Sequence, residues 1–420
     1  MIILSMYIAI FVGAFFIVSL LQRGKEEKGF NSLKTVTFGD ESAVTPNRAA
    51  AIISVVTIFL IWGAFTDSKL VPIHVSGPFI GDTSFTYTAQ NAAGETSEAT
   101  VNIRVHRIGD KPEKPEVEAN DGFTQNDSML VGAWRSKLIN VKRNDEGYKD
   151  EGYQIIAVDG QPISVGKPVE VADGDVVLTE KKSLNFTPTK GLQLEPIWMP
   201  APEAVVGRFI EIAQEGYQNF GLWEHLGWSL FRVIVGFLIG ALVGIPLGYA
   251  MGLSGWFRGW FDPIVEFMRP VPPLALIPLV IIWFGIWETG KIVLLFLASL
   301  WIMTIAARAG VSGINITKVH AAYSLGASKR QLMWHVIVPN SLPEIFTGAR
   351  VAMGVCWGTV VAAELVAAEK GAGMMIMVAS KFQLTDIVLM GIILIGIVGF
   401  AIDILMSKAE NYLVPWKGRS

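Results

Sequence analysis

The feature that most constrains this chain is a set of stretches, each close to twenty residues long, that carry almost no charge. An α-helix rises ~1.5 Å per residue, so a run of that length matches the ~30 Å hydrocarbon core of a bilayer. Inside that core every backbone N–H and C=O must be satisfied within the protein, which leaves a helix as the economical solution for an isolated run. Seven runs qualify: residues 2–21, 49–66, 228–251, 267–285, 291–310, 345–368 and 387–406. The bulk agrees, because 51% of residues are hydrophobic and only 17% charged, too apolar for one soluble domain of 420 residues. The expectation is an α-helical polytopic membrane protein. A net charge of −3 supplies no basic field for nucleic acid. The single cysteine, Cys356, has no intrachain disulfide partner and sits in an apolar run, as a small packing residue would. The five histidines are scattered, and no Cys/His cluster has metal-ligand spacing, so no metal is expected.

Charge placement orients the spans. Arg23, Lys25 and Lys28 follow the first apolar run and nothing basic precedes it, which reads as a retained transmembrane helix (1–21) with its N-terminus outside, not as a signal peptide. The loop 22–48, with Lys34 and Arg48, is then cytoplasmic. The turn at Arg258, the stretch 313–344 and the tail bearing Lys408, Lys417 and Arg419 fall on the same side. Residues 67–200 fall outside and are more acidic than basic, so basic residues concentrate within as the positive-inside rule requires.

Segment 67–200 has a different composition, rich in Ser, Thr, Gly, Pro and acids. Ser84 to Val105 alternates Phe85/Tyr87 and Val101/Ile103/Val105 about Asn91-Ala92-Ala93-Gly94, a hairpin pattern. Lys111 to Asn120 is a proline-rich charged linker. Strands are expected at 154–158, 168–171, 176–178 and 184–187, set off by Asp159-Gly160 and Asp173-Gly174. Those Asp-Gly pairs read as turns and not as calcium ligands, since no aspartate-rich loop surrounds them. The segment is expected to be a β-rich insert of two small lobes, its first hairpin similar to immunoglobulin- or cadherin-like surface repeats.

Beyond residue 200 the chain reads as membrane protein again. Glu203 to Phe220 is amphipathic and is expected along the interface, with Trp198 and Trp223 as anchors. Gly236, Gly240, Gly244 and Gly248 recur every fourth residue, forming a smooth ridge that lets another helix approach closely; Pro246 is expected to bend that helix. Ionisable residues in or beside spans are candidates for function because burying them is costly. Glu266, Arg269, Pro273 and Glu364 form the candidate substrate path or gate. Arg269 could meet an anion, and Pro270, Pro272, Pro273 and Pro278 break helical regularity as at a constriction. The alternative reading is that Glu266 and Arg269, three apart, pair with each other as helix neighbours. Arg308 and Arg350 are expected to reach the headgroups. Gly285 to Lys291 (GIWETGK) imitates a phosphate loop, but Ile292 stands where the Ser or Thr should be and no strand precedes it, so no nucleotide site is expected in this chain.

The stretch His320 to Pro343, HAAYSLGASKRQLMWHVIVPNSLP, reads as helix, glycine turn at Gly326, second helix capped by Ser328 with Gln331 three residues on, and a stop at Pro339. In isolation it could pass for a DNA-reading helix-turn-helix. Apolar runs on both sides pin it against a bilayer and exclude approach to a duplex. It resembles the cytoplasmic EAA loop of ABC importer permeases: Ala321, Ala322, Gly326, Ile337, Leu342 and Pro343 fit that pattern, and His320 replaces its glutamate. The segments 261–292, 324–354 and 360–368 are likewise similar to the nitrate, sulfonate and taurine group of such permeases, with the echo strongest for taurine permeases.

The resemblance implies a type I ABC importer permease core of about six spans, to which this chain adds one N-terminal span and a β-rich periplasmic insert, in the bacterial inner membrane. It implies a homodimer, a cytoplasmic ATPase dimer that holds the ATP and Mg, and a periplasmic substrate-binding protein; this chain is then a transport subunit and not an enzyme. The residues implied to couple to the ATPase are His320, Ala321, Ala322, Gly326, Ala327, Ser328, Lys329, Arg330, Ile337, Leu342 and Pro343. The implied cargo is a small sulfonate such as taurine, with nitrate, bicarbonate or another small anion as alternatives. A reading of another class is a membrane-anchored receptor whose β insert binds ligand.

Overall fold

The computed structural model describes residues 2–22, 48–147 and 152–416. Arg23, Lys25, Lys28, Lys34, Lys417 and Arg419 lie outside the described residues. The chain divides into two compact units, Met1–Glu203 and Ala204–Ser420.

Among its described residues the first unit holds two apolar helices, α1 (Ile2–Gln22) and α2 (Arg48–Phe65), and nine strands. β1 (Gly81–Gln90) and β2 (Thr96–His106) form the antiparallel hairpin, paired in register from Gly81↔Val105 to Gln90↔Thr96. β3 (Asp127–Gly132) lies parallel to β2, and β5 (Gln154–Val158) and β6 (Gln161–Pro162) extend the other edge, giving the order β3-β2-β1-β5-β6. β4 (Lys137–Ile139), β9 (Leu184–Pro188), β8 (Gly174–Leu178) and β7 (Pro168–Val171) make the second sheet, in that order.

From Phe85 to Ala89 in β1 and from Ala99 to Val105 in β2 every second residue is buried, the period of a sheet with one wet face. Phe85, Val101, Ile103 and Val131 from the first sheet share one core with Val176, Leu184 and Phe186 from the second, and the Phe85 and Phe186 rings stack at 6.1 Å. The expectation of two lobes is therefore corrected to one sandwich. Each sheet alone buries too little apolar surface to stand free.

The second unit is helical. It comprises α3 (Pro202–Glu215), α4 (Leu222–Leu253), α5 (Gly255–Met268), a 3-10 turn (Pro273–Leu276) leading into α6 (Ile277–Phe284), α7 (Glu288–Ser312), α8 (Ile316–Ser324), α9 (Lys329–Leu332), α10 (Val338–Ala367), α11 (Ala372–Lys381) and α12 (Thr385–Leu413). Among the described residues four helices are long and apolar enough to cross a membrane: Leu222–Leu253, Glu288–Ser312, Lys329–Val366 and Thr385–Leu413. A fifth crossing exists if the pair 255–268 and 273–284 is one broken span.

Two expectations are corrected here. The run 267–285 is not one helix: α5 and the helix after it meet at 90°. Pro270, Pro272 and Pro273 lack N–H groups and cannot continue the helical ladder, and Pro272, the residue before Pro273, is extended at φ −66°, ψ 131°. Pro339, conversely, does not stop its helix. A π-helical turn, Met333–Ile337, joins α9 to α10, and the Val338 N–H reaches back five residues to the Met333 carbonyl. Asn340 Nδ2 donates to the Val336 carbonyl at 2.7 Å, re-satisfying an acceptor in the disturbed turn.

The glycine ridge of α4 lies against α7. A Cβ built on Gly236 or Gly240 would collide with Leu295 Cβ or Ser299 Oγ. One on Gly244 would come within 2.7 Å of the Leu300 carbonyl oxygen, and one on Gly248 within 2.6 Å of Ala307 Cβ. These are backbone-to-backbone approaches that only glycine permits. The helix runs unbroken through Pro246.

Candidate functional site

The loop between α7 and α10 is built by its caps. Asn315 Oδ1 accepts from the Thr317 N–H at 2.9 Å and starts α8. That helix ends where the Ala327 N–H reaches the Ala322 carbonyl (3.1 Å) and Gly326 takes φ +83°, a left-handed conformation that side chains with a Cβ adopt at a cost. Ser328 then opens α9 with a reciprocal capping box: its Oγ accepts from the Gln331 N–H (3.3 Å) while Gln331 Oε1 accepts from the Ser328 N–H (2.9 Å).

The result is a helix-turn-helix presenting a mixed apolar and basic face. Leu325 is 88% exposed, and Ile316, Tyr323 and Trp334 are also largely exposed. His320, Ala321, Gly326, Ser328, Lys329 and Arg330 are exposed and Ala322 and Ala327 half-buried. Ile337 is buried, and Leu342 and Pro343 are half-buried on α10, so these three belong to the base of the loop and not to its tip. So much exposed apolar area around a short basic helix marks a surface made to be covered.

A second group gathers at the break between α5 and α6. Met268 to Pro273 line a cavity of about 210 Å³ with Ala298, Trp301, Ile302, Ile305 and Val355 from α7 and α10. Arg269 and Pro273 both contribute to its wall, and Arg269 lies 3.8 Å from Glu266. Arg308 does not reach for headgroups, contrary to expectation: it pairs with Asp262 and, at 3.1 Å, with Glu266. Arg350 likewise pairs with Glu410 (3.1 Å) and Asp403 (3.4 Å). In both cases a carboxylate of the protein offers the guanidinium charge-assisted hydrogen bonds at a defined position.

Glu364 is at neither place. It is 1% exposed, and both oxygens are engaged: Arg232 Nη1 donates to Oε1 at 2.6 Å, Ser229 Oγ at 2.8 Å, and the Gly373 N–H donates to Oε2 at 3.0 Å. The structure thus encloses Glu364 in a polar knot and gives it no open face. Arg232, itself fully buried, also donates from Nε (2.6 Å) and Nη2 (2.8 Å) to Glu288, which in turn accepts from Lys291 Nζ (3.0 Å). Gly285 to Lys291 is accordingly the turn into α7, with its lysine tied to its glutamate.

Arg232 is the residue that sequence reasoning missed. A signal was present, since an arginine inside the apolar run 228–251 needs an acidic partner, but nothing in the spacing says which. The segment α11 was missed as well, being too short to register as a span.

Residues 236–410 match the family described as "Binding-protein-dependent transport system inner membrane component". The chain is similar to the taurine transport system permease protein TauC of Escherichia coli, 46% identical over 226 residues covering 54% of this chain and 82% of that protein. It is similar to the putative aliphatic sulfonates transport permease protein SsuC of Escherichia coli, at 40% over 52% of this chain and 81% of that protein. It is also similar to the nitrate import permease protein NrtB of Synechocystis, at 31% over 52% and 81%.

Proposed function

Since the chain belongs to the family of inner-membrane permease components of binding-protein-dependent ABC importers, in the taurine, sulfonate and nitrate group, we propose that it forms, as a homodimer, the membrane pore of an importer for a small sulfonate, taurine foremost. It is a transport component and not an enzyme, and membership implies a partner ATPase and a substrate-binding protein. The ATP and its magnesium belong to that partner. The observation that carries the reading is the 46% identity with a taurine permease over most of that protein's length. Nitrate is the second reading, favoured by the 31% identity with the nitrate import permease protein.

The loop geometry supports a coupling role. Tyr323, Leu325 and Trp334 would fill an apolar groove on the ATPase while Lys329 and Arg330 meet acidic groups at its rim. Closure of the ATPases on ATP would draw the two loops of the dimer together. Driving the pore between inward- and outward-open forms requires only that the ATP-bound partner favour one membrane conformation over the other. Glu266, Arg269 and Pro273, at the helix break, line the path in this reading. A cation at the rim of an otherwise apolar cavity attracts a sulfonate without holding it, because Glu266 competes for the same guanidinium. The β insert serves docking of the binding protein or of envelope components.

Uptake of labelled taurine, an alkanesulfonate and nitrate by proteoliposomes containing the assembled transporter tests the substrate. ATP-dependent accumulation of taurine, suppressed by excess unlabelled taurine and not by nitrate, is expected. Accumulation of nitrate alone would replace the sulfonate reading. Deleting residues 70–195 separates permease from receptor: a permease retains ATP-dependent uptake, and a receptor of the insert's ligand loses all function.

A further inference from the structure

α7 and α10 are the two helices that flank the coupling loop, α7 running into it and α10 out of it. Followed away from the loop, both end at the same side chain. Glu288 is the first residue of α7, Glu364 lies one turn from the end of α10, and Arg232 of α4 bonds both. The guanidinium also donates to the Lys370 carbonyl at 2.9 Å, in the turn between α10 and α11. That turn is fixed by a row of backbone amides: Gly371 N–H to His225 Nδ1 (3.1 Å), Ala372 N–H to Ser229 Oγ (3.0 Å) and Gly373 N–H to Glu364 Oε2 (3.0 Å). A Cβ on Gly371, at φ +140°, would collide with the Glu364 carboxyl, so the turn is seated directly on the ion pair.

We propose that Arg232 is a positioning residue for transport: the outer anchor through which movement of the coupling loop, carried along α7 and α10, is passed to α4 and to the turn before α11 at the far end of the pore. The inference rests on the coupling reading above. A packed helix transmits displacement end to end, and a bidentate arginine–carboxylate bond transmits it across a joint, because the planar fork fixes both distance and direction. Glu288 is 41% exposed at its side chain while Glu364 is fully enclosed, so the joint has one fixed arm and one arm open to rearrangement.

The test reconstitutes the full transporter with wild-type, Arg232→Gln, Arg232→Lys and Glu288→Gln chains. It measures co-purification of the ATPase, ATP hydrolysis with and without loaded binding protein, and substrate moved per ATP hydrolysed. Arg232→Gln is expected to keep ATP hydrolysis in whatever complex assembles and to lower the substrate moved per ATP at least tenfold. Arg232→Lys, which retains the charge without the fork, is expected to recover part of that ratio. Glu288→Gln leaves the buried pair intact and is expected to assemble normally with a ratio lowered about threefold or more. If Arg232→Gln fails to assemble, Glu288→Gln decides. An unchanged ratio in assembled Arg232→Gln or in Glu288→Gln overturns the proposal, because a merely structural role lowers the amount of complex and not its efficiency. Absence of ATP-dependent uptake by the wild type is a different result, and overturns the coupling reading itself.

Discussion

Asp127 in the β insert gives the chain a pH dependence whose sign can be fixed in advance. Its Oδ2 is buried with no hydrogen-bond partner among the described residues, and only Asn144 Nδ2, at 3.2 Å from Oδ1, favours the charged form. Burial, together with the neighbouring Asp145 carboxylate, pushes the group from 3.8 up to about 7. Asp145 is raised in the same direction, chiefly by burial, although Tyr87 and Tyr153 hydroxyls and the Gln125 N–H donate to it. A folded-state value above the unfolded one means that folding favours the neutral acid. The stabilisation is complete below about 4 and is lost as pH rises through 7. Between pH 5 and pH 7 this amounts to at most about 2.7 kcal/mol at 1.36 kcal/mol per pH unit, and about half of that once partial solvent access is allowed for. Hydrogen exchange of the β2 and β3 amides in the full-length protein, corrected for intrinsic exchange rates, should therefore show an opening free energy lower at pH 8 than at pH 5 by about 1–2 kcal/mol. Asp127→Asn should be more stable than wild type at pH 8 and should have a flatter profile. An identical slope in the variant, or a slope of the other sign, refutes the assignment.

Three further outcomes are expected. Gly326→Asn, which tolerates a left-handed backbone, should retain uptake, whereas Gly326→Val should lose most of it with membrane insertion intact; since a Cβ there meets nothing, uptake by the valine variant equal to that of wild type would show that the turn itself is dispensable. Gly244→Val should cost about 1–3 kcal/mol by forcing α4 from α7, seen as a lower thermal midpoint in detergent, while the same change at Gly227, where a Cβ meets nothing, should be close to neutral. Ser328→Ala removes the capping box and should cost about 1 kcal/mol of local stability, read as faster exchange of the Gln331 amide.

Local rules sufficed where one residue type decided the outcome. Strands 154–158 and 168–171 have the bounds expected from the alternation and from the Asp-Gly turns beside them, and the Ser328 capping box formed as its sequence spacing requires. What escaped depended on partners distant in the chain. β3 is short and half-polar, and it becomes a strand because β2 offers it a parallel edge across a crossover that includes the linker 111–120. Arg232 and Glu364 are separated by more than a hundred residues, so neither could be read as half of a pair; Glu364 alone looked like a pathway group because the cation that encloses it was out of view. Proline gave opposite answers in two places. Three within four residues broke the helix at 270–273, whereas Pro339, beside a π turn and a donating Asn340, did not.

That second proline bears on how the loop proposed to couple to the ATPase is joined to the helices that follow it. Had the chain stopped at Pro339, the loop would have hung from the bundle on a flexible joint, and a pull on it would have been dissipated in the joint. Instead Lys329–Val366 runs as one helical rod of 38 residues, ~57 Å at ~1.5 Å per residue. The side chains that could have weakened it near the prolines close it: Asn340 bonds the Val336 carbonyl, Ser341 the Val338 carbonyl and Thr347 the Pro343 carbonyl. The π turn adds a residue to one turn without opening it, which alters the azimuth at which α9 leaves the bundle. The rod starts at the basic end of the loop and passes its last turn against Arg232, so its two ends cannot move independently unless it bends. In the proposed coupling, continuity of this one element would let a short exposed helix act on a buried arginine at the other end of the bundle.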